Sequence, residues 1–214
     1  MNEVLCFPYA GATAAYYGWG DRPPFSVVAY PANAQTVEEV VENLLRTVAP
    51  LLSRPFAFFG HSMGAGIAFE FTRALRREGL PMPAALFVSA ATAPQLRTTV
   101  HPEMTDEDVY QSLVRIHGAG APEVALRALV MQYGPDARLH RRYVYREEPP
   151  LDVPIRVFGG LDDATVALPR LEAWREQTTL GFELRLFSGG HMFVDRNPQF
   201  LPALREAIRE LLPD

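Results

Sequence analysis

The chain has 214 residues, 48% of them hydrophobic, and a formal net charge of −5, which is enough apolar material for the core of one α/β domain over residues 1–214. Its acidity excludes the basic stripe that a nucleic-acid backbone requires. Every one of the 20 Lys+Arg residues is an arginine, so Schiff-base lysines and Ser-Lys pairs are excluded as well.

The first apolar run, Val4 to Phe7, reads as a strand. The opening MNEVLCFPYAG that contains it has neither the basic start nor the long apolar run of a signal peptide, and Cys6 is the single cysteine. A cytoplasmic protein without an internal disulfide is expected. Further strands are expected near Ser26 to Tyr30, Phe56 to Phe59, Ala85 to Ser89, Ile155 to Phe158 and Glu183 to Phe187. Most are apolar on both faces, as buried parallel strands must be.

Helical periodicity fills the gaps. From Thr36 to Leu52 one face is made by Val37, Val40, Val41, Leu44, Leu45 and Val48, with Thr36 and Glu39 placed as a capping box. The last helix is expected to start with Asn197 as cap and Pro198 at its first position, burying Leu201, Leu204, Ile208 and Leu211. Alternating strands and helices predict a doubly wound, mostly parallel sheet. Between about Ala91 and Pro154 no strand interrupts two helical patterns, Asp106 to Ile116 and Glu123 to Tyr133. An insertion at that point covers the carboxyl ends of the strands, where ligands bind, and reads as a lid. No segment approaches the roughly 20 apolar residues of a membrane span.

The chemistry concentrates at Gly60-His61-Ser62-Met63-Gly64, which follows the strand FAFF and precedes the helical GIAFEFTRALRREG. A serine flanked two residues away by glycines at a strand-to-helix turn has the form of a nucleophile elbow, whereas a serine helix cap in a glycine-rich turn is the plainer alternative. A serine nucleophile needs a base held in the right tautomer by a third group. Of the five histidines, His61 adjoins the serine and should project elsewhere, and His101, His117 and His140 fall in the insertion. His191 follows the last strand through Ser188-Gly189-Gly190 and is the candidate base. The acid should come from Gly159-Gly160-Leu161-Asp162-Asp163, where Asp162 and Asp163 are equally able to turn inward, and the order Ser, Asp, His is that of α/β-hydrolases. An oxyanion hole would use the Met63 N–H at a helix N-terminus and a second N–H from Phe7-Pro8-Tyr9-Ala10-Gly11, with Ala10 preferred and Tyr9 next. No zinc spacing, dinucleotide fingerprint or phosphate loop occurs, so no cofactor and no metal are implied. The basic run Arg138 to Arg142 reads as a solvated helix face, or as a patch for an acidic partner.

Together, the segments Phe7-Pro8-Tyr9-Ala10-Gly11, Gly60-His61-Ser62-Met63-Gly64, Gly159-Gly160-Leu161-Asp162-Asp163 and Gly189-Gly190-His191-Met192-Phe193 resemble the type II thioesterases of nonribosomal peptide and polyketide synthases. The resemblance implies an α/β-hydrolase fold and hydrolysis of acyl or aminoacyl groups from the phosphopantetheine arm of a carrier protein, by Ser62, His191 and an acid. It favours Asp163 over Asp162, because Gly160-x-x-Asp163-x-x-Val166 matches the family's pattern. A monomer is expected, with no nucleic-acid or membrane partner. Two departures bear on the substrate: Tyr30-Pro31-Ala32-Asn33-Ala34-Gln35 lacks the family's usual glycine-arginine turn, and the lid is short. The rival readings are a serine esterase or acyltransferase acting on small free esters, and a non-catalytic carrier-binding protein on a hydrolase scaffold.

Overall fold

The computed structural model describes residues 3–12, 25–52, 55–99, 101–118 and 120–212. Six strands form one sheet: β1 (Glu3–Phe7), β2 (Phe25–Val27), β3 (Phe56–His61), β4 (Leu86–Ser89), β5 (Ile155–Gly160) and β6 (Phe182–Phe187), in the order β2-β1-β3-β4-β5-β6. Each of the paired neighbours runs parallel, with Cys6 opposite Phe59, Phe59 opposite Phe87 and Val88 opposite Val157. This is the α/β-hydrolase arrangement expected from the sequence.

Side-chain alternation divides the core into two layers. Leu5, Phe7, Phe56, Phe58, Leu86, Val88, Ile155 and Val157 face α1 (Val37–Thr47) and α2 (Met63–Arg77). Val4, Cys6, Ala57, Phe59, Phe87 and Phe158 face the opposite layer. There the short α6 (Phe193–Arg196) and α7 (Phe200–Leu211) cover them. The inner strands are apolar on both faces because both faces are covered. At the edge, β6 instead exposes Glu183 and Arg185, charges that discourage pairing with another chain.

Local chemistry sets the boundaries. Thr36 caps α1 by accepting from the Glu39 N–H at 3.2 Å, but the Glu39 carboxylate accepts from Gln35 N–H at 2.7 Å, so the reciprocal half of the expected box is displaced by one residue. The β2 ladder ends at Val27, earlier than expected. Asn197 does not cap α7. It ends α6, its side-chain amide donates to the carbonyl and hydroxyl of Ser188, and α7 begins at Phe200. In consequence Phe200 and Ala203 join Leu204 and Ile208 in the core, while Leu201 and Leu211 are only half-buried.

The insertion between β4 and β5 holds α3 (Asp106–His117) and α4 (Glu123–Arg142); its Val100 and Ala119 lie outside the described residues. The sequence predicts that α4 stops before Gly134-Pro135, yet it runs nine residues past Tyr133. Proline removes one intrahelical donor and crowds the preceding turn, but tertiary contacts compensate. Ala137 and Leu139 are buried, Asp136 accepts from the Gly11 N–H at 2.8 Å, and Arg138 and Arg142 pair with Asp106 and Glu103. Within the run Arg138 to Arg142, Arg138 and Arg142 form partly exposed ion pairs inside the insertion, and Arg141 is exposed. Between β5 and β6 lies α5 (Leu168–Glu172), followed by a 3₁₀ turn, Ala173–Gln177, that buries Trp174.

Candidate active site

Strand β3 delivers Ser62 into a conformation with φ 55° and ψ −120°, a left-handed backbone that a non-glycine residue adopts only under constraint. The flanking glycines explain how the turn closes. A Cβ on Gly60 would lie 2.4 Å from the Gly64 carbonyl oxygen, and one on Gly64 would lie 2.0 Å from the Phe7 oxygen and 2.6 Å from that of Pro8. Bare backbone on both sides lets the elbow pass through the sheet beside the turn that follows β1. Ser62 N–H is held by the Ser89 carbonyl at 2.8 Å.

The Ser62 hydroxyl lies 3.0 Å from His191 Nε2, and Nδ1 of the same ring lies 2.8 Å from Asp163 Oδ2. His191 is only 4% exposed and the Asp163 side chain 1%. The other Asp163 oxygen, Oδ1, accepts from the Thr165 N–H at 2.7 Å, the Thr165 hydroxyl at 2.6 Å and the Val166 N–H at 3.3 Å. Burial alone would raise this carboxyl, but its bond to His191 and the Thr165 donors outweigh that effect and hold it below the usual aspartate value. Asp162, the other candidate, is exposed; its backbone N–H donates to the Gly189 carbonyl and its carboxylate accepts from the Gly189 N–H. It ties the acid's turn to the histidine's turn. The two turns touch closely, since a Cβ on Gly160 would lie 2.6 Å from the carbonyl oxygens of Gly189 and Gly190.

Met63 opens α2, and neither its N–H nor that of Ala10 meets an acceptor among the described residues. The Phe7-to-Gly11 turn is tight, with Ala12 N–H donating to Tyr9, and it is fastened to α4 through Gly11 and Asp136. Both expected oxyanion donors therefore belong to segments held in place from outside.

Three residues missed by the sequence reading, Thr165, Ser89 and Ala90, complete the surroundings together with His61. Thr165 bridges the acid and the base, its hydroxyl 2.8 Å from His191 Nδ1. His61 turns toward the buried Ser89 hydroxyl, 2.9 Å away, as expected of a side chain projecting elsewhere, yet its ring also lies 5.1 Å from that of His191. Burial first, then the proximity of His191, depress the His61 pKa well below the ordinary histidine value, so it packs beside His191 as a neutral ring. Ala90 takes φ 46° after β4 and borders the site cavity. Only Ser89, as an apolar strand's terminal hydroxyl opposite His61, carried a sequence signal, and a faint one.

A cavity of about 300 Å³ contains Ser62 and His191, with Ser112 and Arg115 from α3 and Tyr133 and His140 from α4 among its walls. The insertion thus contributes directly to the site. Of the remaining histidines, His140 is bonded to Arg97, and His101 borders a neighbouring cavity. A second space of about 510 Å³ lies beyond Met63, walled by Pro8, Val28, Tyr30, Ala34 and Ile67. It is bounded by the loop in which the sequence departs from the type II pattern. Among the described residues no cluster of His, Cys, Asp and Glu is arranged to hold a metal, and no helix is long and apolar enough to cross a membrane.

Residues 2–211 match the model of the thioesterase domain family. The chain is 33% identical over 213 residues to the gramicidin S biosynthesis protein GrsT of Aneurinibacillus migulanus, covering 90% of this chain and 82% of that protein. Among solved structures, RedJ, a thioesterase of the prodiginine pathway in Streptomyces coelicolor, superimposes with TM-score 0.82 at 29% identity over 98% of this chain and 86% of its own. The type II thioesterase BorB of the borrelidin cluster superimposes with TM-score 0.81 at 29% identity, covering 97% and 93%.

Proposed function

The chain belongs to the thioesterase family, and from that premise we propose that it hydrolyses acyl or aminoacyl thioesters on phosphopantetheinyl carrier proteins, with Ser62 as nucleophile, His191 as base and then acid, and Asp163 as the orienting carboxylate. The observation that carries this reading is the unbroken chain of contacts from Ser62 through His191 to Asp163. In the tautomer that suits it, His191 Nδ1–H donates to Asp163, and Nε2 accepts the Ser62 proton.

As Ser62 Oγ bonds to the thioester carbonyl carbon, its proton passes to His191 Nε2. The imidazolium that forms faces Asp163, which the Thr165 and Val166 donors keep ionised. The carbonyl oxygen gains negative charge near the Met63 N–H, where the α2 N-terminus favours an anion, with the Ala10 N–H as the second donor. Collapse breaks the C–S bond, and His191 returns the proton to the departing thiol. Water then repeats the sequence against the acyl-serine, releasing the acid and restoring Ser62–OH. The burial of His191 and Asp163 keeps competing solvent from the hydrogen bonds that orient the base.

The carrier enters because the relatives are named for peptide and polyketide biosynthesis and because four motifs carry the type II resemblance. Residues 1–214 would act as one monomeric unit, with the insertion as its lid. A panel of acyl carrier proteins, matching free thioesters and oxoesters, combined with fluorophosphonate labelling, tests the proposal. Labelling at Ser62, its loss in Ser62→Ala, and a higher kcat/KM for carrier-bound substrates are expected. Preference for oxoesters would establish the esterase reading, and an unlabelled, inactive protein would establish the non-catalytic one.

A further inference from the structure

Four arginines line the space that leads away from Ser62. Arg97 and Arg115 border the cavity of about 300 Å³ that holds Ser62 and His191. An adjoining space of about 450 Å³ shares Arg97 and His140 with it and adds Arg141 and Arg170. Among the described residues no carboxylate borders either space. Other arginines of this acidic chain, among them Arg73, Arg76, Arg77, Arg127, Arg138 and Arg142, are paired with acids. Neither Arg97, Arg115, Arg141 nor Arg170 makes an ion pair among the described residues.

Arg97 is the central one. Its guanidinium is held by the His140 carbonyl and by His140 Nε2, and it lies over the Tyr143 ring with 5.6 Å to the centroid. A nitrogen that accepts from a guanidinium belongs to a neutral imidazole, and burial with the adjacent cation keeps His140 neutral. Among the described residues Arg97 is therefore oriented by uncharged groups, and its charge stays available. Burial, with Arg141 and Arg170 nearby, pulls its pKa down to about 10, so it remains a cation at neutral pH in surroundings that favour an incoming anion.

We propose that this arginine-lined groove is an acyl subsite for a carboxylate, so that the substrates the enzyme prefers are thioesters whose acyl group carries a negative charge. The inference rests on the thioesterase reading and specifies its substrate class. The anion belongs to the acyl group and not to the arm. A pantetheine arm is about as long as four or five extended residues, roughly 15 Å by the reach of an extended chain. Arg97 instead borders the same cavity of about 300 Å³ as Ser62. A carboxylate a few bonds beyond the reacting carbonyl spans that space, whereas the arm's phosphate overshoots it. The same cations disfavour aminoacyl groups, whose ammonium would meet like charge.

The test compares N-acetylcysteamine thioesters, which have no phosphate, of succinate and glutarate with the same compounds capped as methyl esters. A kcat/KM about tenfold or more higher for the free carboxylates is expected, the scale of a charged hydrogen bond. That ratio should fall toward one in Arg97→Gln. Since Arg97 also links the insertion together, Arg115→Gln, at an exposed position bonded to Ser112, serves as the second variant, and the ratio should fall there too. Equal rates for charged and capped acyl groups would overturn the subsite while leaving the thioesterase intact. A preference that appears only when the arm bears its phosphate would overturn it by assigning the arginines to the arm. Hydrolysis of none of these thioesters, free or carrier-bound, would remove the thioesterase reading and the subsite with it.

Discussion

The Thr165 hydroxyl stands 2.8 Å from His191 Nδ1 while donating to Asp163 Oδ1 at 2.6 Å. Having given its proton to the carboxylate, it can only accept from the imidazole, so one side chain enforces both the ionised acid and the Nδ1–H tautomer. Thr165→Val preserves the shape and removes both bonds. A drop of about tenfold in kcat with KM unchanged is expected, the scale of one hydrogen bond to a charged group, and Thr165→Ser should recover most of it. Steady-state kinetics on folded variants checks both.

Asp163→Asn should reduce kcat by about 10⁴-fold, because the amide no longer stabilises the imidazolium and permits the wrong tautomer. Asp162→Asn should cost far less, since its carboxylate only accepts from the Gly189 N–H. The two purified variants, compared under the same conditions, give the ranking directly.

Gly64→Ala should be damaging in both stability and rate. The added methyl meets the Phe7 and Pro8 carbonyl oxygens, backbone atoms that cannot rotate away, so a loss at the upper end of about 1–3 kcal/mol is expected. The displaced Met63 N–H should lower kcat by about 10²-fold. Denaturant titration and kinetics measure the two effects separately.

Stability should decline as pH falls through the range in which histidines titrate. His61 and His140 have pKa values lowered by burial, so below the unfolded value of about 6.5 the unfolded chain binds protons that the folded chain refuses. The folded state is thus fully favoured above that pH and loses stability as pH falls through it. Each such histidine contributes a slope of up to about 1.4 kcal/mol per pH unit. Unfolding titrations between pH 7 and 5 should show this slope, reduced in His61→Gln.

The insertion should open more readily than the sheet. Its own cluster buries Val109, Leu113 and Leu126, whereas β3 is buried at all six positions. Amides of α3 should exchange with deuterium well before those of Phe56 to Phe59, since elements that gate a site lie at the low-stability end of a fold. Equal protection would make the insertion a rigid wall.

How legible each part was in the sequence follows from the range of the forces that fix it. Gly60 and Gly64 reveal the elbow because the pattern itself spans five residues: the conflict that Gly60 relieves, with the Gly64 carbonyl, lies inside it, although Gly64 makes room for the distant Phe7 and Pro8. His191 was legible because only one histidine follows a strand through two glycines. Asp162 and Asp163 looked equivalent because their difference lies in the donors of Thr165 and Val166 and in a second turn at Gly189, after the neighbouring strand. The contact of Thr165 with His191 and the approach of the His61 ring to it were missed for the same reason, as was the charge left uncompensated at Arg97. The continuation of α4 past Pro135 was hidden by propensity, which the contacts of Asp136, Arg138 and Arg142 override.

Cys6, in β1, is completely buried, and burial suppresses the acidity of its thiol. A hydrolysis that liberates a thiol is thereby carried out by a protein that presents none of its own. An acyl group cannot migrate from its thioester to the enzyme's sulfur, and a disulfide reagent added during turnover counts released thiol without background from the folded protein. The same reagent reports on the enzyme itself, because a sulfur that becomes titratable marks a molecule whose sheet has come apart.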